Sequence, residues 1–156
     1  MSSNWSKTSF KYSPAYMVGG IPYVTSSQNN ELLAMNHVSK EPVHISFPYI
    51  TRWICIRSLD NAGSAARNIR IGFTKNGVKN NTHCIQIPDQ NTPHNPGFGL
   101  TDPVLEIACT DIFLSSDHAS NSTEFSLIAG LTNIPRSEYP NLTGSIDGSS
   151  NFDGVG

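Results

Sequence analysis

The amino-acid sequence predicts an all-β fold, an eight-stranded antiparallel sandwich. Three observations lead there. Apolar residues come in short runs of strand length, several runs alternate as half-buried strands do, and Gly, Pro, Asn and Asp separate them. A chain of 156 residues is one domain's worth, enough to bury roughly 68–70% of its unfolded surface.

The first expected strand is Met17–Val24, followed by Glu31–Asn36. Val43–Phe47 follows and alternates cleanly, so Ile45 and Phe47 enter a core while His44 and Ser46 face out. Pro48, with no N–H to donate, separates it from Tyr49–Leu59. That strand is apolar on both faces for part of its length, with Trp53 and Cys55 on one phase and Ile54 and Ile56 on the other. A strand buried on both sides needs a second covering layer, either another sheet or another subunit. Ile69–Thr74 alternates again, and Asn76-Gly77 after it suits a type I′ hairpin leading into His83–Ile87. Pro88 to Gly99 reads as a loop, and only Ala34–His37 and Ala62–Arg67 have the make-up of a helical turn. Val104–Leu114, also apolar on both phases, and Phe125–Leu131 complete the set. Eight short strands at this spacing predict a sandwich of jelly-roll type, with Ile45, Phe47, Ile54, Ile56, Ile71, Phe73, Ile85, Ile107, Phe125 and Leu127 inside.

The two ends differ from the middle. Residues 1–13 form a polar arm carrying Trp5, Phe10 and Tyr12, residues 14–138 the sandwich, and residues 139–156 a Gly- and Ser-rich tail carrying Phe152. Isolated aromatics in such tails suit arms that dock into a neighbour's groove, or that fold back on their own core.

Ten Lys and Arg against twelve Asp and Glu leave a formal charge of −2, which speaks against a broad electrostatic footprint for nucleic acid. Charged residues make up 14%, against roughly 25% in typical soluble domains, and uncharged polar residues take their place. Such a composition marks secreted, viral or assembled β-proteins, whose surface is not left as a charged solvated shell. Cys55, Cys84 and Cys109 are odd in number and form no CxxC pair, so free thiols in a reducing compartment are expected. No run approaches the ~20 apolar residues of a membrane span. The start, Met1-Ser-Ser-Asn-Trp, lacks a basic region followed by an apolar one, which predicts synthesis in the cytosol.

No chemical motif stands out. Neither GxxxxGK[ST] nor GxGxxG occurs, and Ala62-Gly63-Ser64-Ala65 does not make a nucleophile elbow. His37, His44, His83, His94 and His118 show no HxH or HxxxH spacing, and adjacent His83 and Cys84 would point to opposite faces of a strand. Asp89, Asp102, Asp111, Asp117 and Glu124 could supply an acid–base pair only through a cleft geometry that spacing does not reveal. No enzyme, metal site or cofactor is expected.

Ile50-Thr-Arg-Trp-Ile-Cys-Ile-Arg-Ser58, Ile71-Gly-Phe-Thr-Lys-Asn-Gly-Val78, Leu105-Glu-Ile107, Phe125-Ser-Leu-Ile-Ala-Gly-Leu-Thr-Asn-Ile-Pro135 and the Gly-rich tail occur in that order. Over residues 40 to 156 this arrangement resembles the penton (vertex) capsid proteins of the large nucleocytoplasmic DNA viruses. The resemblance implies a single jelly roll in the virion, made in the host cytoplasm, with five copies ringing each icosahedral five-fold vertex. It further implies a homopentamer that borders a double-jelly-roll major capsid protein and other minor capsid proteins, with no direct contact to nucleic acid and no membrane span. The family has no catalytic residues to carry over. Trp5, Phe10, Tyr12 and Phe152 would be the assembly contacts. The alternative on the same architecture is a ligand-binding β-sandwich that recognises a carbohydrate or a receptor, which would need exposed Trp or Tyr on one face.

Overall fold

The computed structural model describes residues 20–26, 41–58, 68–87, 104–117 and 123–140. Within them the chain is mostly strand. The strands are β1 (Pro22–Ser26), β2 (Val43–Ser46), β3 (Tyr49–Ser58), β4 (Ile69–Gly72), β5 (Ile85–Ile87), β6 (Val104–Leu105), β7 (Asp111–Ser116) and β8 (Phe125–Pro135). A five-residue helix, α1 (Lys75–Lys79), lies between β4 and β5, and a 3-10 turn (Arg136–Glu138) follows β8. The strands form two four-stranded sheets, ordered β1-β8-β3-β6 and β2-β7-β4-β5, and the paired strands run antiparallel. An all-β sandwich is therefore in place.

One core fills the space between the sheets. Ile54, Ile56, Phe125, Leu127, Ala129 and Leu131 of the first sheet meet Ile45, Ile69, Ile71, Ile87, Ile112 and Leu114 of the second. Alternation explains the choice: on β8, Phe125, Leu127 and Ala129 are inside, while the intervening Ile128 is 41% exposed. Full burial of a side chain of this size stabilises the fold by about 1.5–3 kcal/mol. Tyr23 of β1 meets Phe47 edge-on, ring centroids 5.1 Å apart, which seats β1 over the β2 side of the sandwich. Irregularities near Thr51 in the β3–β8 ladder shift the phase of β3, and beyond them Ile50 and Ile134 form a smaller cluster with Ala108 and Tyr139.

Several expectations need correction. The run Val104–Leu114 is two strands in different sheets, joined by a crossing at residues 106–110. Thr51 anchors that crossing: its hydroxyl donates to Ile107 O at 2.8 Å and accepts from Cys109 N at 3.0 Å, and its N–H reaches Cys109 O at 2.9 Å. Asn76-Gly77 is not a hairpin turn but the middle of α1, whose N-cap Thr74 accepts from Gly77 N at 3.2 Å. A side chain at Gly77 would strain through contact, since its Cβ would lie 2.8 Å from Thr74 Oγ1, and not through a left-handed backbone. The helix packs close because Gly72 has no side chain: a Cβ there would stand 2.5 Å from Val78 Cγ2, and Val78 is fully buried. Ile85, expected inside, is 47% exposed because β5 is an edge strand, while Phe73 and Ile107 are half-buried against the core. β1 starts later than expected and β8 runs on to Pro135. The expected strand Glu31–Asn36 and the turns Ala34–His37 and Ala62–Arg67 lie outside the described residues.

Candidate assembly surface

The pairing register builds a row of side chains straight across the first sheet. Val24 pairs with Ile128, Ile128 with Cys55, and Cys55 with Val104, so the four project from one line on the side away from the core. Val24 is 68% exposed and Val104 56%. At 4.7–4.9 Å per strand the row is about 14 Å long. Pro22, Gly130 and Trp53 make the next row on one side, and Ser26, Ser126 and Arg57 the next on the other. Arg57 is the single charged residue in the three rows. A nearly uncharged sheet face carrying apolar side chains loses little on being covered, because it carries few groups that must be desolvated.

Trp53 sits lower on this face than its size suggests. A Cβ at Gly130 would lie 2.3 Å from Trp53 Nε1, so the indole rests over the bare Gly130 backbone and is half-buried. The ring levels the face instead of projecting from it. Tyr23, the other aromatic close by, points inward to Phe47. A projecting aromatic row of the kind that binds sugars is therefore absent from the described part of this face.

The polar cluster lies elsewhere, around Asp111 at the start of β7. Arg136 in the turn after β8 donates to its carboxylate at 3.0 and 3.3 Å, His44 Nε2 lies 2.9 Å away, and Thr110 donates at 2.8 Å. Arg136 also reaches Ser46 Oγ. His44 stacks on Phe113 with ring centroids 4.6 Å apart. Burial pulls the Asp111 pKa upward, but hydrogen bonds from His44 and Thr110, the Arg136 charge and Ser46 outweigh it and hold the carboxyl below its usual range. A carboxylate so well supplied with donors suits a tether better than a base at neutral pH. It ties the end of β8, in the first sheet, to β2 and β7 in the second. Asp117, just after β7, pairs with Arg70 on the neighbouring β4 within the second sheet. Glu41 joins Lys75 at 2.6 Å and Lys79 at 3.0 Å, and those contacts lower its pKa.

The cysteines are all free. Cys109 is buried, and burial pushes its thiol up to about 12 although a hydrogen bond with Thr51 opposes the shift. Cys84 is half-buried just before β5 with its thiol on Asn81 Oδ1 at 3.1 Å, and burial raises it too. Cys55, within the apolar run of β3, is only partly covered, because it faces away from the core. Among the described residues no group of three or more His, Cys, Asp or Glu could hold a metal ion, and no helix is long and apolar enough to cross a membrane. His37, His94, His118, Asp89 and Asp102 lie outside the described residues, as do Trp5, Phe10, Tyr12 and Phe152, the expected assembly contacts.

The residues that define this face were not among the expected contacts. Their signal is an apolar side chain on the outward phase of a strand: Ile128 between Leu127 and Ala129, and Cys55 between Ile54 and Ile56. No protein-family model, curated protein or solved structure matches the chain.

Proposed function

We propose that the chain is a structural virion protein, a penton whose pentamers occupy the five-fold vertices of an icosahedral capsid, and that its sandwich is a jelly roll. The strand order supports the jelly roll. Every consecutive step except β4 to β5 passes from one sheet to the other, and each sheet interleaves early and late strands, as two nested Greek keys do. The observation that carries the assembly reading is the uncharged row Val24–Ile128–Cys55–Val104, three of whose members are exposed on the side of the first sheet away from the core. The low charged fraction of the chain points the same way. The arm and tail aromatics Trp5, Phe10, Tyr12 and Phe152 then anchor the ring to the double-jelly-roll major capsid protein and other minor capsid proteins around it. No catalytic step belongs to this role.

Light scattering on the purified chain, followed by electron microscopy, tests the reading directly: rings of five copies are expected. Removing residues 1–13 should leave folding and rings intact while weakening incorporation into capsids. A full-length chain that stays monomeric at high concentration and enters no capsid defeats the proposal. A ligand-binding sandwich, detected as saturable binding on a glycan or receptor panel, then replaces it.

A further inference from the structure

The two sheets treat their outer faces differently. On the second, Val78 of α1 packs on Gly72 and is fully buried. Phe113, on the outward phase between the core residues Ile112 and Leu114, lies against the His44 ring and is only 8% exposed. Segments of the chain itself cover the apolar residues there. On the first sheet, Val24, Ile128 and Val104 stand in the open. Its three rows on four strands measure about 14 by 13 Å, on the order of 200 Å², against ~800 Å² from each partner of a lasting complex. The patch is too small to hold a second copy by itself. Its size is that of one extended segment laid across the strands.

The way the chain enters this sheet points to such a segment. A Cβ at Gly20 would stand 1.9 Å from Leu131 O, closer than a regular ladder allows, while Ile21 O still accepts from Leu131 N at 3.3 Å. Regular pairing with β8 therefore ends by Gly20, where the chain bends against the β8 backbone, and Gly19-Gly20 supplies two residues with the freedom to turn. Residues 14–18, outside the described part, read Pro-Ala-Tyr-Met-Val, with Pro14, Tyr16 and Val18 on one phase and Ala15 and Met17 on the other. In extended form they span about 13 Å, the width of the row. No charged residue occurs between Lys11 and Glu31.

We propose that residues 14–18 fold back across the outer face of the first sheet as a strap, with Val18 near Val24, Tyr16 over Ile128 and Cys55, and Pro14 near Val104. Gly19-Gly20 tethers the strap to its site, so it acts at about millimolar effective concentration and a few apolar contacts hold it. Ala15 and Met17 face outward, and the strapped face still offers a neighbour no charge to desolvate. Residues 1–13 then leave the sandwich from the β6 edge. The proposal deepens the assembly reading, because it names where the arm departs, but it needs only one copy of the chain.

The test uses the full-length chain, dilute enough to be monomeric in light scattering, with Cys84 beside the other sheet as the internal reference. Replacing Tyr16 and Val18 together by serine should raise the rate at which a maleimide modifies Cys55 by about tenfold and leave the Cys84 rate unchanged. Replacing Ala15 and Met17 together by serine, on the outward phase, should change neither. Stacked layers stand about 10 Å apart, so a short bifunctional thiol reagent should join Tyr16→Cys to Cys55 within one chain, as read by peptide mass spectrometry, and should leave Met17→Cys unlinked. Buried Cys109 staying unreactive shows that each variant is folded. If the Tyr16 and Val18 variant exposes it, the cross-link decides. A Cys55 rate that this variant does not change, or a Tyr16→Cys chain that links to Cys55 only between copies or not at all, overturns the strap. Five-fold rings in concentrated protein keep the vertex reading standing whatever that outcome. A linked strap in a chain that forms no ring supports the strap and removes the vertex reading.

Discussion

Leu127 and Ile128 are neighbours on β8, yet the first is fully buried and the second 41% exposed, so truncating each to alanine separates the two faces of the sheet. Leu127 sits in the core shared by both sheets, opposite Ile56 in the β3–β8 ladder. Leu127→Ala loses the transfer free energy of the removed carbons and leaves a cavity that antiparallel strands on either side cannot close, a cost of ~3–5 kcal/mol. For a domain of this size each kcal/mol lowers the melting temperature by about 2–4 °C, so the variant should melt ~6–20 °C below the parent. Ile128→Ala leaves no internal cavity, and in dilute protein it should cost under about 1 kcal/mol. Urea denaturation followed by tryptophan fluorescence and circular dichroism measures both, with all proteins at one low concentration so that association does not add to apparent stability. Repeating the series at high concentration adds a second comparison: the Ile128→Ala deficit should grow if its face is covered by another copy, and the Leu127→Ala deficit should not. Equal costs for the two substitutions, or a cost below 1 kcal/mol for Leu127→Ala, would show that the inward phase of β8 is misplaced and the face described above with it.

Gly130→Ala should displace the Trp53 ring, because the new Cβ falls 2.3 Å from Nε1; in a Trp5→Phe background acrylamide quenching of the remaining indole should increase, with a loss of about 1–3 kcal/mol. Asp111 carries a folded-state pKa below its unfolded value, so its contribution is complete above the unfolded pKa and is lost as pH falls through the folded one. The parent's urea midpoint should therefore exceed that of Asp111→Asn at pH 7, and the gap should shrink progressively as the pH falls below the unfolded carboxylate range; a gap that does not shrink in acid would assign the effect to packing. In native protein at pH 8 a thiol reagent should modify Cys55 and Cys84 but not Cys109, whose thiol is buried and raised to about 12, and all three should react in denaturant. Oligomers that form through the sheet face should further shield Cys55.

Strands with a single buried face were readable from their residues alone. Val43-His-Ile-Ser and Ile69-Arg-Ile-Gly announce their inward positions by alternation, because the period of two is a property of the extended backbone and needs no partner. The apolar content on both phases of Tyr49–Leu59 raised the expectation of a second covering layer, either another sheet or another subunit. The breaks and edges could not be read in this way. Nothing between Val104 and Leu114 announces a crossing between sheets, since the hydroxyl that fastens it belongs to Thr51, more than fifty residues earlier. Asn76-Gly77 favours a tight turn locally, but a cap from Thr74 and burial of Val78 against Gly72 make a helical turn there instead.

Sequence by itself determined the class of fold, the inward phase of the central strands and the scarcity of charge, because each follows from local backbone geometry or from composition. Tertiary structure alone decided which strands stand at the edges. Ile85 alternates as a core residue does, and only the placement of β5 at the end of its sheet leaves it 47% exposed. The same is true of the row from Val24 to Val104: its four members are scattered between positions 24 and 128 of the chain, and the hydrogen-bond register of three strand pairs brings them into one line. Burial depends on neighbours from distant segments, so a surface built from one residue per strand exists only once the sheet has formed.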